Sequence, residues 1–448
     1  MTSEDTIVAI ATPMGRGGIG VVRLSGAESL RIAEGMLRAA RSLEANRAVF
    51  GELMDKDGER LDEVVATYFR APHSYTRENV VEIAAHGSPV LLEHAVRLAI
   101  AAGARLAEPG EFTRRALMNG RINLTQAESV RDLIASQTMY QARVAAEQLG
   151  GALSKRVAPI KAKLLQLIAR MEAGIDFADD DVDVLPSGEI GAGVQELKQA
   201  LEALRSTYRV GRLVHSGVTL AIIGRPNVGK SSLFNRLVER ERAIVTEIPG
   251  TTRDPISDTI SLNGVPLTLV DTAGIREVTE ADPVERIGID RSREAAADAD
   301  AIVLVFDASA GWTEEDQRIL DGVEGREPIL VGNKADLGVG GMRGHSLATS
   351  AVTGLGMEEL RQRIWRRSAG HDGAEFEQGG LTSVRHESCV RASIESLERA
   401  EQGRHNDVPH EMLLIDLYAA LRALDELTGE TTPDDVLNLI FSSFCIGK

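Results

Sequence analysis

The segment Gly224-Arg-Pro-Asn-Val-Gly-Lys-Ser231 has the composition and spacing of a phosphate-binding loop. The apolar run 218–223 precedes it and predicts a strand that delivers the chain to the loop. Its two glycines allow backbone N–H groups to face a phosphate, and Lys230 adds positive charge at the start of a predicted helix. Ser231 offers a hydroxyl to Mg²⁺. This stretch therefore predicts a nucleotide-binding α/β domain.

Three further motifs follow in the order of a guanine-nucleotide switch: Gly250-Thr-Thr252, Asp271-Thr-Ala-Gly274 and Asn333-Lys-Ala-Asp336. The Asp336 carboxylate can accept two hydrogen bonds from N1–H and the 2-amino group of guanine, and adenine has no such donor pair. Ser350-Ala351 lies where a second loop closes over the base. The order and spacing of these motifs predict a preference for GTP.

The two middle motifs predict that the γ-phosphate is sensed and hydrolysed. Asp271 ends a predicted strand, where a carboxylate holds Mg²⁺ through water, and Thr252 ligates Mg²⁺ only while the γ-phosphate is present. Gly274 supplies a hinge and an N–H donor. Ile275 stands where Ras-like switches place a glutamine, and no arginine finger is evident in this chain. Another group must therefore manage the attacking water and the transition-state charge.

Length and hydropathy patterning predict several domains in the 448 residues. Residues 1–120 are expected to be α+β, 121–215 and 371–448 to be two parts of one helical domain, and 216–370 to be an inserted α/β domain. The α/β domain should contain a mostly parallel sheet covered by helices on both faces. Within the first region, strands are predicted at 6–11, 20–24, 63–69 and 79–84, and helices at 27–41 and 89–102.

Composition limits the function. The net charge of −17 opposes broad non-specific nucleic-acid binding. Local basic runs remain candidate sites, or else solvated helix faces. These runs are Arg114, Arg115 and Arg121; Lys155, Arg156, Lys161 and Lys163; and 361–367. Two cysteines, Cys389 and Cys445, give no disulfide framework, and no signal segment is recognised, so a cytoplasmic protein is expected.

Three other patterns are interpreted as structural. Gly15-x-Gly17-x-x-Gly20 imitates a dinucleotide fingerprint, but a strand is predicted after it where a helix should begin, which favours a turn between strands. The acidic run 179–183 lacks the glycine and the spaced glutamate of a calcium loop. The scattered histidines do not support a zinc site.

The chain resembles the MnmE (TrmE) family of bacterial tRNA-modification GTPases along its whole length. The resemblance rests on Asp5-Thr-Ile-Val-Ala with Gly15-Arg-Gly-Gly-Ile-Gly20, on Asn227 and Ile244–Asp254, on Asp271–Arg276 with Val284–Ile289, and on Phe444-Cys-Ile-Gly-Lys448. It implies a K⁺-activated GTPase that works as a homodimer with the flavin-dependent partner MnmG (GidA). The implied product is tRNA with a carboxymethylaminomethyl group on C5 of the wobble uridine.

The resemblance also implies roles for individual residues. Asn227 matches the side-chain ligand of K⁺, and Glu285 matches the residue that positions the attacking water in place of the missing glutamine. Read from the residues alone, Asn227 is equally a turn former and Glu285 a solvated helix start. The backbone ligands of K⁺ match Thr246, Ile248 and Thr251. The ligands of Mg²⁺ predicted from the motifs remain Ser231 and Thr252.

A tetrahydrofolate derivative, in the 5-formyl or methylene form, is the implied one-carbon carrier, with FAD and NADH in the partner. Arg23, Glu82, Arg121 and Lys448 match its binding positions, with Arg121 where the family often has lysine. The resemblance leaves open a chemical role for Cys445, and a small buried hydrophobe is the alternative.

The complete GTP-binding set is Asn227, Val228, Gly229, Lys230, Ser231, Ser232, Thr246, Glu247, Ile248, Pro249, Gly250, Thr251, Thr252, Asp271, Thr272, Ala273, Gly274, Asn333, Lys334, Ala335, Asp336, Thr349, Ser350 and Ala351. A ribosome-assembly GTPase shares several of these motifs and is the alternative function. It should carry a small RNA-binding domain in place of the amino-terminal region seen here.

Overall fold

A computed structural model describes residues 5–176, 185–238, 257–271, 299–323, 325–369, 378–430, 444, 446 and 447. The chain forms two compact units. The first comprises Met1–Arg131 and Asp425–Lys448, and the second comprises Asp132–Leu424.

The first unit is built on a seven-stranded, mainly antiparallel sheet with the strand order β3-β4-β5-β6-β2-β1-β7. Its strands are β1 Ile7–Ile10, β2 Gly17–Ser25, β3 Leu37–Ala39, β4 Ala48–Met54, β5 Arg60–Phe69, β6 Val80–Gly87 and β7 Arg105–Leu106. Its helices are α1 Ser29–Met36, α2 Pro89–Ala101 and α3 Glu111–Met118, and α4 Leu124–Ala135 contains the boundary between the units. The α+β prediction is confirmed.

The strands β4 and β7 were not predicted, and two further details of this unit differ from the prediction. The helix expected at 27–41 ends at Met36, because Leu37 adopts an extended conformation and β3 pairs with β4. Of the glycines of the false dinucleotide fingerprint, Gly15 lies in the connection between β1 and β2, as predicted, whereas Gly17 and Gly20 lie inside β2. The motif continues into a strand, whereas a dinucleotide-binding fold requires a helix at this point. The prediction that this motif is not a dinucleotide site is therefore confirmed.

The second unit alternates helix-rich and α/β segments. Its elements are α5 Met139–Leu149, α6 Ala152–Asp176, α7 Ser187–Ser206, α8 Tyr208–Ser216, β8 Val218–Ile223, α9 Lys230–Val238, β9 Ser257–Leu262, β10 Val265–Asp271, β11 Ala301–Asp307, α10 Glu314–Asp321, β12 Ile329–Asn333, β13 Leu347–Ala348, α11 Met357–Ala369, α12 Val384–His405 and α13 His410–Thr428. The helical prediction for 121–212 is confirmed where the structure describes it. The expected break at 178–183 lies outside the described residues.

The sheet of this unit has the order β13-β12-β11-β8-β10-β9, and every neighbouring pair is parallel except β10 with β9. Alternate residues of the central strands pack into different cores. Leu220 and Val303 belong to one apolar cluster, whereas Ala221 and Ile302 belong to the other. The sheet is therefore covered on both faces, as the continuous apolar strands predict.

Helices from both flanks of the α/β segment pack together. Lys198 of α7 lies 3.3 Å from the Glu401 carboxylate of α12, and Gln148 of α5 donates to the Gly380 carbonyl at 2.7 Å. The α/β segment is thus inserted into a helical domain that is formed before and after it, as predicted. The strand β9, at the antiparallel edge of the sheet, was not predicted.

Candidate functional site

The phosphate-binding loop follows β8 in a conformation that requires its glycines. Gly224 has φ +148°, and a Cβ there would lie 2.2 Å from the Val305 carbonyl oxygen. Gly229 has φ +92°, and its Cβ would lie 2.3 Å from Asn333 Nδ2. Between them, Asn227 also adopts a positive φ of 60°. The loop is therefore pressed against the ends of two other strands, where no side chain fits.

The lysine of the loop lies across its own backbone. Lys230 Nζ donates to the carbonyls of Gly224 and Arg225, at 2.8 Å each. Arg225 in turn contacts the fully buried Asp316 at 2.7 Å, and Asp316 forms a capping box with Thr313 at the start of α10. Lys230 therefore fixes the loop through its backbone carbonyls, and Arg225 fixes it through Asp316 of α10.

Helix α9 begins at Lys230 and presents its amino terminus to the loop. Ser231 and Ser232 occupy its first turn and are exposed. The first N–H groups of a helix have no intrahelical acceptor and carry partial positive charge, so the lysine, the loop backbone and the helix all suit an anion here.

Four parallel strands of the sheet bring their carboxyl ends to this edge. Asp271 at the end of β10 pairs in register with Ile222 of β8, next to the loop. Asp307 at the end of β11 pairs with Asn333 at the end of β12. Ligands of open parallel sheets bind outside the carboxyl ends of the strands, and all the described nucleotide motifs lie there.

Asn333 connects the guanine-recognition loop to the phosphate-binding loop. Its Nδ2 donates to the Val228 carbonyl at 3.0 Å, and its Oδ1 accepts from the Ala351 N–H at 3.2 Å. Asn333 is buried, so its amide orients both loops rather than facing solvent. The Ala335 N–H donates to the Thr349 carbonyl at 3.0 Å, which joins the guanine-recognition loop to the segment 349–351.

Asp336 is exposed at the tip of this loop, and its carboxylate contacts no other residue in the described ranges. Ser350 is fully buried and its hydroxyl accepts from the Thr353 N–H at 3.1 Å, which shapes the opposing loop. The exposed carboxylate of Asp336 is thus free of intramolecular hydrogen bonds within the described ranges, as the predicted role in accepting from guanine requires.

Sequence analysis missed Asp307. Its carboxylate lies 2.8 Å from Lys334 Nζ and accepts from the Ser309 hydroxyl at 2.6 Å. Partial burial by itself raises the pKa of Asp307, but the hydrogen bonds from Lys334 and Ser309 outweigh it and lower the pKa to about 2. The ion pair fixes Lys334, whose φ of 62° is unusual for a lysine. The sequence does place Asp307 directly after the apolar run 301–306, a position from which a side chain reaches the ligand edge of a parallel sheet.

Several predicted site residues lie outside the described residues, and so do the switch motifs that contain them. These are Thr246, Glu247, Ile248, Pro249, Gly250, Thr251, Thr252, Thr272, Ala273, Gly274, Glu285, Cys445 and Lys448. For Asp271 only the backbone is described. The assignments of these residues stay predictions.

The described members of the two cation sites fit hard metal ions. The Asn227 amide is exposed in the loop and makes no hydrogen bond to the described part of the chain, and the Ser231 hydroxyl is exposed beside it. Both supply neutral oxygen donors, which K⁺ and Mg²⁺ prefer. Within the same described ranges, no group of three His, Cys, Asp or Glu residues is arranged to hold a metal.

A second cluster lies in the first unit. Arg23 of β2 and Glu82 of β6 are register partners, with Arg23 Nε 2.8 Å from Glu82 Oε1. The Arg23 guanidinium also lies 5.7 Å from the ring centre of Tyr75 and 5.6 Å from that of Phe112. Arg121 reaches the same Tyr75 ring at 5.2 Å. Three of the four predicted folate positions are thus brought together.

The carboxyl-terminal segment also reaches this cluster. Arg23 Nη1 donates to the Gly447 carbonyl at 3.4 Å, next to the predicted Lys448. Tyr75, which shares a hydrogen bond of 2.9 Å with the Thr113 hydroxyl, and Phe112 were missed by sequence analysis. The sequence offered one indication of them: only 4% of the residues are aromatic, so each aromatic ring is a candidate partner for a cation.

The basic runs differ from the prediction of solvated helix faces at two positions. Arg115 is buried and bonds to Asp5 at 2.7 Å and to Glu111 at 3.0 Å. Arg361 is buried in α11. In the described part of the chain, no helix has the length and apolar character that spanning a membrane requires.

Comparison with known proteins gives two family matches that divide the chain. The MnmE helical domain matches residues 124–445, and the GTP-binding protein TrmE N-terminus matches residues 6–121. The chain is 58% identical to the tRNA modification GTPase MnmE of Koribacter versatilis (strain Ellin345), with 100% of both proteins covered. It is 46% identical to that of Aquifex aeolicus (strain VF5), over 99% of this chain and 100% of the relative. Among solved structures, the G domain of the T. maritima FeoB iron transporter covers 34% of this chain and 98% of its own length, at 28% identity and a TM-score of 0.26.

Proposed function

The chain belongs to the MnmE family of tRNA modification GTPases, and from this premise we propose that it is a K⁺-activated GTP hydrolase acting in the cytoplasm with an MnmG-type flavoprotein. The proposed product is tRNA with a carboxymethylaminomethyl group at C5 of the wobble uridine. GTP binding and hydrolysis are supported by one observation above all: Asn333 joins the phosphate-binding loop to the guanine-recognition loop.

Each described residue of the site has a separate role in binding GTP. Lys230 and the first N–H groups of α9 hold the β- and γ-phosphates, and Ser231 binds Mg²⁺. Asp336 accepts from guanine, while Lys334 is held by Asp307 beneath the loop. Because Ile275 cannot orient water, we assign that role to Glu285.

The proposed K⁺ site consists of the Asn227 side chain and the backbone oxygens of Thr246, Ile248 and Thr251. A bound K⁺ would neutralise charge where other GTPases use an arginine finger. Asn227 suits this role because its left-handed backbone lies in the phosphate loop and its amide is exposed. In the motifs recognised in the sequence, no other group is assigned to neutralise the transition-state charge.

The proposed ligand of the first unit is a tetrahydrofolate that carries a one-carbon unit. Arg23, Arg121, Glu82 and Lys448 supply charges of both signs, and Tyr75 and Phe112 supply flat apolar faces. This combination suits a flat heterocycle with carboxylates on a flexible tail. FAD and NADH belong to the partner, and a homodimer is proposed for the chain itself.

The primary experiment compares GTP turnover in potassium and in sodium salts at equal ionic strength. Turnover should be strongly stimulated by potassium, and Asn227→Ala should abolish that stimulation while GTP binding persists. Asn263→Ala is the matched control, because Asn263 is also exposed with a positive φ of 51° but lies in the turn between β9 and β10. Equal rates of the parent in both salts would refute K⁺ activation.

Two further measurements separate hydrolysis from modification. Glu285→Ala should keep nucleotide affinity and lose turnover, and a parental rate would remove Glu285 from the mechanism. Nucleoside analysis of tRNA from a deletion strain should show loss of the modified wobble uridine. Unchanged nucleosides, together with absent folate binding, would instead favour the ribosome-assembly alternative.

A further inference from the structure

A basic pocket of about 420 Å³ opens in the second unit, away from the nucleotide loops. Its apolar floor is Pro328 with the first residues of β12. Its walls carry Arg209 from α8, His345, and Arg363, Arg366 and Arg367 from α11. Because β12 begins at this pocket and ends at Asn333, the pocket and the guanine loop lie at opposite ends of one strand.

The charge in this basic pocket is only partly balanced. Arg363 pairs with Glu359 at 2.7 Å, and Arg367 pairs with Glu327 at 3.0 Å. Arg209 and Arg366 are exposed and form no ion pair or hydrogen bond with any residue in the described ranges. No carboxylate from those ranges lines the pocket. Two guanidinium groups are therefore left to attract an anion from solvent.

This local surplus contrasts with the molecule as a whole. A chain with net charge −17 repels a polyanion, so contact with one requires a local patch of the opposite sign. Arginine is suited to phosphate because its planar fork forms two parallel hydrogen bonds and is only weakly hydrated. Exposed, unpaired arginines beside an apolar floor match a phosphodiester that carries a sugar and a base.

We propose that the basic pocket binds the phosphodiester backbone of tRNA through Arg209 and Arg366. The proposal rests on the proposed function, since it takes tRNA as the substrate of this chain. It assigns direct contact with the RNA to the second unit, at the sheet edge opposite the GTP site. The contact positions the RNA and reads no sequence, because phosphates carry none.

The test is fluorescence anisotropy of a fluorescein-labelled, unmodified tRNA transcript with the full chain, without the flavoprotein, between about 50 and 200 mM salt. The double variant Arg209→Ala/Arg366→Ala should bind about tenfold more weakly. The slope of log affinity against log salt should also fall by about 2, one for each lost phosphate contact. Arg209→Lys/Arg366→Lys should keep the parental salt slope, because lysine keeps the charge, but should bind more weakly than the parent, because lysine lacks the planar fork.

The matched control is Arg318→Ala/Arg391→Ala, which removes two exposed arginines of the same unit and changes net charge equally. If the pocket variant, Arg209→Ala/Arg366→Ala, binds tRNA with parental affinity, the proposal is overturned. It is also overturned if the control variant loses as much tRNA affinity as the pocket variant. Intact tRNA binding with lost binding of the flavoprotein also overturns it, because the pocket is then a protein interface.

Failure of the proposed function has a different signature. The pocket variant should keep parental GTP turnover in potassium, since neither arginine lies near the nucleotide loops. If a deletion strain keeps its modified wobble uridine while tRNA binding still depends on Arg209 and Arg366, the modification role fails and the RNA contact stands.

Discussion

The nucleotide site of the second unit and the arginine–aromatic cluster of the first unit are built in opposite ways. The described phosphate and guanine loops come from short contiguous motifs, and residues with positive φ and local hydrogen bonds set their conformation. The cluster around Arg23 takes side chains from two strands, the segment before β6, the start of α3 and the segment after α3, and a backbone carbonyl from the carboxyl-terminal segment. One site depends on local backbone conformation and the other on the folding of a whole unit.

This difference predicts where each site is vulnerable. A contiguous loop fails when a single glycine acquires a side chain, because its φ angles and close approaches leave no space. A dispersed cluster survives local backbone changes but fails when the elements that carry its side chains shift. Helix α3 is such an element, since Phe112 faces the cluster while Glu111 and Arg115 join a buried ion network.

Arg115→Met should have the largest effect. It removes the buried cation that Asp5, Glu78 and Glu111 share, and only Asp5 and Glu111 keep a second cation, Arg105. Breaking a buried charge pair costs about 3–5 kcal/mol of unfolding free energy, and Arg105 should hold the loss near the lower end. Denaturant unfolding measures the loss. Arg114→Met, on the same helix with a weaker contact to Glu108 at 3.7 Å, should cost less than about 1 kcal/mol. Equal stabilities of the two variants would contradict the role of the network.

Gly229→Ala should come next and should damage only the nucleotide site. The new Cβ would lie 2.3 Å from Asn333 Nδ2 on a backbone with φ +92°, so the loop must move. GTP affinity should fall on the order of a hundredfold, equivalent to about 3 kcal/mol. Gly340→Ala meets no atom within 4 Å and should bind GTP normally. Calorimetric titration distinguishes the two, and normal GTP binding by Gly229→Ala would show that the loop tolerates a side chain.

Arg23→Ala should have a smaller effect, confined to the cluster. Loss of one charged hydrogen-bonding group costs about 1.5–3 kcal/mol, so affinity for 5-formyltetrahydrofolate should fall at least about tenfold. GTP affinity should stay parental. Arg97→Ala, exposed on α2 of the same unit, is the control. If folate affinity is unchanged in Arg23→Ala, the ligand does not bind at this cluster.

Asp307→Asn should have the smallest effect, with a defined pH dependence. The pKa of Asp307 is lowered in the folded state from its ordinary value of 3.8 to about 2. Its contribution is therefore present above about pH 4 and is lost as the pH falls towards 2. The variant should be less stable by about 1–2 kcal/mol at neutral pH and should approach the parent below about pH 2. Asp321→Asn, exposed at the end of α10, is the control and should leave the unfolding free energy at neutral pH near the parental value.

Much of the fold was predictable from sequence because local patterns carry it. Apolar runs such as 218–223 and 301–306 predicted buried parallel strands, and the structure places them at the centre of a sheet covered on both faces. The strands β3, β7, β9 and β13 lie at sheet edges and were not predicted, and neither was β4, which lies between β3 and β5. Their pairing partners, and not their own short sequences, hold them in extended conformation.

The conformations of the described phosphate and guanine loops were predictable from the sequence itself, since each motif specifies its backbone conformation within a few residues. Only the tertiary structure decided which distant side chains meet. It placed Tyr75 and Phe112 against Arg23, Asp307 beneath Lys334, and Arg209 opposite Arg366. The physical reason is that local motifs depend on neighbouring torsion angles, whereas packed side chains depend on contacts between residues far apart in the chain.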